Sequence, residues 1–228
     1  MHIVILNGPK FSGKDTLAKL LLKLFPTAIH ARMKDVLYTS SYENWRIERR
    51  DISFSEWVTL CNDPILKDLP VTWLGNSTAP QRSPREALIY MSEEIIKKND
   101  GPNGVALRTV RKLKQQYPDY KDRMFIFSDG GFNNEVQCLL DTFEITRKHM
   151  TVVRIDRQGC SFAGDSREYI KNPNLMYTNN QHPSIFLGKA KTDFCFLALE
   201  NNTVPIEPDR TVKIADICSE IKPFKVGR

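Results

Sequence analysis

One stretch near the start of the chain constrains the fold more than any other: Gly8-Pro9-Lys10-Phe11-Ser12-Gly13-Lys14-Asp15-Thr16. It follows the apolar run Ile3–Leu6. It precedes a pattern in which Leu17, Leu20, Leu21 and Leu24 recur at helical spacing. G-x-x-x-x-G-K between a strand and a helix is the spacing of a phosphate-binding loop, or P-loop. Its glycines let backbone N–H groups wrap phosphate oxygens where a Cβ would obstruct them. The helix start at Gly13–Asp15 adds the positive end of a dipole, and Lys14 reaches the outer phosphates as a point charge. With average residue usage, this pattern followed by a small polar residue arises by chance in roughly one chain in a hundred of this length. Its place at a strand-to-helix junction makes coincidence rarer still.

One position departs from the usual pattern. A hydroxyl residue normally follows the lysine and ligates Mg²⁺, but here Asp15 stands there, with Thr16 one place later. Asp15 suits a hard cation, directly or through water, and Thr16 substitutes only if the helix start shifts.

Further short, continuous apolar runs occur at Met124–Phe127, Val152–Ile155 and Phe194–Leu199, with a weaker one near 28–31. Such runs suit strands buried on both faces of a parallel sheet. Between them lie helical patterns. Ser83-Pro84-Arg85-Glu86 is a capping box with proline at the first helical position, followed by an apolar face of Leu88, Met91 and Ile95. Val136, Leu139, Leu140 and Phe143 form another face, and Ile214, Ile217, Cys218 and Ile221 a last one. The alternation predicts a three-layer α/β fold, a mainly parallel sheet of about five strands flanked by helices. Within 41–82, the part from about residue 46, with prolines at 64, 70 and 80 and tryptophans at 57 and 73, fits this plan poorly. It reads either as an inserted substrate-side cap or as a plain structural loop. One domain of 228 residues with such an insertion is expected, rather than two domains.

Charge and cysteine usage narrow the class. The chain carries 33 basic and 27 acidic residues, a formal +6, which suits an anionic partner. No apolar run approaches a membrane span, and the first residues read as a strand rather than a signal peptide. The five cysteines (61, 138, 160, 195, 218) show no metal-ligand spacing, so free thiols and a cytoplasmic location are expected. The cations at 108, 111, 112, 114, 121 and 123 lack interleaved aromatics at stacking spacing, and nucleic-acid contact is weighed there against a solvated helix face.

Two further places carry candidate chemistry. Asp129 ends the run Met124–Phe127 plus Ser128, where an acid beside the loop holds Mg²⁺ through water, binds substrate, or merely starts a turn. Gly130-Gly131 turns the chain over the strand ends, and Asn133 follows as a cap-like or substrate-facing residue. Beyond Val152–Ile155, Arg157 and Arg167 lie in glycine-containing loops. They suit stabilisation of a transferring phosphoryl group, or pairing with Asp156 and Asp165. The polar segment 157–185 is the candidate lid.

Gly8–Thr16, Met33-Lys34-Asp35, Ser83–Glu86 and the Asp129-to-Arg167 segment together resemble the bacteriophage deoxynucleoside monophosphate kinases, P-loop enzymes of the nucleoside monophosphate kinase fold. The likeness covers roughly the first 40 residues and most of the chain from 83 onward. It implies ATP- and Mg²⁺-dependent transfer of a γ-phosphoryl group to a (deoxy)nucleoside monophosphate in the host cytoplasm, and it allows a homodimer. By the same resemblance Gly8 to Thr16 hold the donor phosphates. Lys34, Asp35 and Arg85 fall on the acceptor side, and Asp129 is the strand-end acid. Gly-Gly-Phe follows that acid where the family has an arginine, so Arg85 and Arg167 are candidates for the acceptor grip. The alternative function is a P-loop module acting on nucleic-acid ends or using ATP as a switch.

Overall fold

The computed structural model describes residues 1–74, 81–130, 132–146, 149–157, 159–164, 167–170, 186–189 and 195–200, with backbone only at 48–49, 156, 186–189 and 195–200. The expected helix at 214–221, Gly131, Asp165 and the lid segment beyond Ile170 lie outside the described residues. In chain order the elements are β1 (His2–Asn7), α1 (Lys14–Leu24), β2 (Ile29–Ala31), α2 (Lys34–Asn44), α3 (Phe54–Asn62), α4 (Pro84–Tyr90), α5 (Lys97–Asp100), α6 (Gly104–Gln116), β3 (Met124–Phe127), α7 (Asn133–Phe143), β4 (Met150–Asp156), β5 (Phe186–Lys189) and β6 (Cys195–Glu200). A π-helical turn, Met91–Ile96, joins α4 to α5. They fall into two compact units, one of residues 1–32 with 113–228 and one of residues 33–112.

The first unit is α/β. Its body is a parallel four-stranded sheet in the order β2-β3-β1-β4, where about five strands were expected. Beyond β4 the backbone of β6 pairs in parallel, and that of β5 pairs antiparallel with β6. Both faces of the sheet are covered, which is why its strands read as unbroken apolar runs. Val4, Leu6, Ile126, Val153 and Ile155 pack with Leu17, Ala18 and Leu21 of α1. On the alternate positions, Phe125 stacks on Phe143 of α7 at 5.7 Å and meets Tyr117 edge-on. The expected face of α1 is corrected at one end, because Leu24 is 49% exposed while Ala18 is sealed. The face expected on α7 is buried throughout.

The second unit turns the poorly patterned segment into a core of its own. Trp57 is fully buried among Tyr38, Ile47, Cys61, Leu74 and Ala87. Its indole N–H lies 3.0 Å from Ser41 Oγ and 3.2 Å from the Tyr38 carbonyl, so the ring's one polar atom is satisfied. α3 begins with a capping box that mirrors the expected one at α4: Ser53 with Glu56, and Ser83 with Glu86. The expected apolar face of α4 slips after Met91, where Ile96 rather than Ile95 is sealed. The π turn explains the slip, since an i→i+5 ladder carries the chain one residue further per turn. Among the described residues no helix is long and apolar enough to cross a membrane.

Candidate functional site

The loop from Gly8 to Gly13 leaves the end of β1, the strand where the sheet order reverses. From β1 the chain moves past β3 to β2, and after β3 it crosses to β4 on the other side. Open α/β sheets bind ligands at such a switch point. The loop is packed tightly against its own sheet. A Cβ on Gly8 would lie 2.6 Å from the Ile155 carbonyl oxygen and 2.7 Å from Ser12 Oγ, so only glycine fits. Gly13 sits at φ 95°, a conformation open to glycine, and the helical ladder starts from its carbonyl with Leu17 N–H at 2.9 Å.

Three cations attend this loop. Lys14 folds back so that Nζ donates to the Gly8 and Pro9 carbonyls at 2.8 and 2.6 Å. Arg157, from the end of β4, donates through Nη1 to the Phe11 carbonyl at 2.8 Å. Lys10 Nζ lies 4.8 Å from the Phe11 ring centroid. Phe11 itself holds φ 65° and is 73% exposed, a strained backbone and a displayed aromatic in one residue. The arrangement gathers positive charge at one strand end, which suits an anionic ligand.

Asp15 and Thr16 are both exposed at the start of α1. Ser128, the first residue past β3, lies 3.0 Å from Asp15 Oδ1, and His30 Nε2 lies 2.8 Å from Ser128 Oγ. Asp129 follows, half-buried. Asn7, almost sealed at the end of β1, ties in the chain beyond Arg157. Its Oδ1 accepts from Ile170 N–H at 2.8 Å, and its Nδ2 donates to the Glu168 carbonyl at 3.3 Å. Tyr169 adds a bond to the Ile155 carbonyl at 3.2 Å, and the Arg154 guanidinium packs 3.7 Å from its ring centroid. This fixes the backbone on both sides of Tyr169, two residues past Arg167. Asn133 opens α7 and is exposed.

Lys34, Asp35 and Arg85 belong to the second unit. Lys34 Nζ and the Tyr38 hydroxyl both donate to Asn62 Oδ1, at 3.1 and 2.9 Å. Arg85 pairs with Asp68 at 2.6 Å, both half-exposed, a bond that water competes for. The structure therefore brings Lys14, Asp15, Phe11 and Arg157 around one loop, and adds three residues that sequence reasoning missed: Asn7, His30 and Ser128. Asn7 and Ser128 are polar residues at or just past a strand end, the one signal that would have marked them, while His30 lies inside β2.

The basic cluster is largely spoken for by its own chain. Arg108 pairs with Asp100, Lys112 reaches Thr39, Lys114 the Thr142 carbonyl, and Arg123 pairs with Asp119. The Arg108 bond holds the Asp100 carboxyl below its ordinary range. Cys61, Cys138 and Cys160 are free thiols. Burial pushes Cys61 up to about 12, which keeps it protonated and unreactive. Among the described residues no group of three His, Cys, Asp or Glu side chains is placed to hold a metal. No protein-family model matches the chain, and no curated protein matches it.

Proposed function

We propose that the protein is a kinase that transfers the γ-phosphoryl group of ATP to a nucleoside or deoxynucleoside monophosphate. The observation that carries this reading is the Gly8–Thr16 loop: packed on the switch strand, glycine where the backbone demands it, with Lys14 folded over its carbonyls. Loop N–H groups and the start of α1 hold the donor phosphates, and Lys14 exchanges its carbonyl partners for phosphate oxygens. Arg157, already bonded to the loop backbone, stands over the same place to neutralise charge on the transferring group. Asp129 and Asn133, which follow the neighbouring strand end, serve the acceptor, and Arg167 directly precedes the segment that Asn7 ties in. Lys34, Asp35 and Arg85 supply the grip on the monophosphate, Arg85 by releasing Asp68. Phosphoryl transfer asks little covalent chemistry of a protein beyond this positioning and neutralisation.

Mg²⁺ fits the donors present. The Asp15 carboxylate, exposed at the start of α1, is a hard oxygen ligand. Mg²⁺ sites on nucleotides typically use one or two protein oxygens and complete the shell with water and phosphate. When bound, the ion neutralises phosphate charge and Asp15, with Thr16 beside it, would hold it. The engaged cations of 108–123 give no support to a nucleic-acid surface.

Incubation with ATP, Mg²⁺ and each monophosphate in turn tests the reading. ADP formation stimulated by one or two monophosphates is expected. Stimulation by oligonucleotide ends and by no monophosphate would replace it with a nucleic-acid-directed activity.

A further inference from the structure

An acid stands at this site where phosphate loops of this spacing carry a hydroxyl, directly after the lysine. That acid is Asp15, and a hydroxyl, Ser128, comes first after the neighbouring strand, ahead of the strand-end acid Asp129. Asp15 and Ser128 meet at 3.0 Å. A carboxylate oxygen only accepts, so the Ser128 hydroxyl donates its one proton to Asp15. Ser128 must then accept from His30, which places a proton on Nε2 of that ring. Donation therefore runs from His30 on β2, through Ser128 past β3, to Asp15 on α1. Ser128 is 2% exposed, His30 half-buried and Asp15 exposed, so the relay is sealed at its middle and open at its carboxylate.

We propose that His30 and Ser128 are positioning residues that hold the Asp15 carboxylate toward a nucleotide-bound Mg²⁺, the strand supplying the hydroxyl that the loop lacks. This rests on the nucleotide-loop reading above. A hydrogen bond from Ser128 fixes one oxygen of the carboxylate of Asp15, a residue that is itself exposed. His30 keeps the serine from turning its proton elsewhere. Outer partners of this kind are worth ten- to a hundredfold in metal affinity.

The test is the affinity of the full chain for ADP, measured in EDTA and in Mg²⁺, with Mn²⁺ paramagnetic resonance as a direct reading of the cation on the ADP complex. Ser128→Ala should leave ADP affinity in EDTA within about twofold and reduce Mn²⁺ affinity by about tenfold or more. Ser128→Thr and His30→Gln, which keep the hydroxyl and the N–H donor, should restore it. In an Asp15→Asn background Ser128→Ala should add nothing. Unchanged Mn²⁺ affinity in folded Ser128→Ala would overturn the proposal, as would equal losses with and without the cation, the mark of a merely structural bond. Should Ser128→Ala fail to fold, His30→Ala against His30→Gln decides by the same ratio. If the unaltered chain binds no ADP in either buffer, the loop reading fails first and this inference with it.

Discussion

The loop after β1 and the core around Trp57 are built on opposite principles. In the loop the backbone does the work: carbonyls take Lys14 and Arg157, and Gly8 is required because Ile155 leaves no room for a Cβ. Around Trp57 the side chains do the work, and the backbone is a string of short helices linked by prolines. A backbone device needs particular residues at fixed spacing and so leaves a motif. A side-chain core needs only apolar volume arriving from several places, and it leaves almost none.

The strongest way to break this comparison is Trp57→Ala. Removing a fully buried indole that also satisfies its N–H should cost about 3–5 kcal/mol. Hydrogen exchange read separately over α3 and β3 checks it. Protection should collapse in α3, and an equal collapse in β3 would show that the two units unfold together. Lys14→Ala probes the other side. The proposed phosphoryl transfer should fall by about a hundred- to a thousandfold, because the charge proposed to neutralise the transferring group is lost. The melting temperature should move little, since the bonds to the Gly8 and Pro9 carbonyls are only part-buried and open to water. Unchanged transfer would remove the loop from the chemistry altogether.

Sequence legibility follows the same division. β1, β3 and α7 were readable because both faces of the sheet are buried and α7 keeps a regular period. The loop was readable as a local word. The relay was not, because Ser128 meets residues 98 and 113 positions away, and His30 is not marked by its neighbours. Ile96 in place of Ile95 needed the π turn, which no spacing rule anticipates. Ser53-x-x-Glu56 is a different kind of miss. It was present as a capping box in a segment whose prolines and tryptophans drew attention away from helical order.

His2 gives a pH handle on the sheet that carries the loop. Burial first, then the nearby His149 and the chain's terminal ammonium, lowers its imidazole from 6.5 to about 4, and its Nε2 bonds Thr151 Oγ1 across β1 and β4 at 2.9 Å. The fold therefore prefers the neutral ring. Its contribution is complete above pH 6.5 and is lost as pH falls toward 4, at most about 2–3 kcal/mol by linkage. Denaturant midpoints of His2→Gln against the unaltered chain, taken at pH 7 and pH 4.5, should show the variant losing less. Parallel slopes would assign the acid sensitivity elsewhere.

The smallest expected effect discriminates most finely, because it compares one device in two settings. Both capping boxes have the same reciprocal bonds: Ser53 N–H to Glu56 and Ser83 N–H to Glu86 at 2.7 Å, with return bonds to the serine hydroxyls at 3.3 and 3.2 Å. The bonds from Ser53 and from Ser83 hold both glutamate carboxyls below their ordinary range. Ser53 is exposed, whereas Ser83 is 4% exposed. Water can replace a lost hydroxyl at the first and has little access at the second, where the Glu86 N–H would be left unsatisfied. Ser83→Ala should therefore cost about 1–2 kcal/mol and Ser53→Ala about 0.5 kcal/mol, read as denaturant midpoints at constant m. Equal costs would mean that cap strength lies in the local backbone geometry alone, as in the loop, and that the burial on which the Trp57 core depends adds nothing to it.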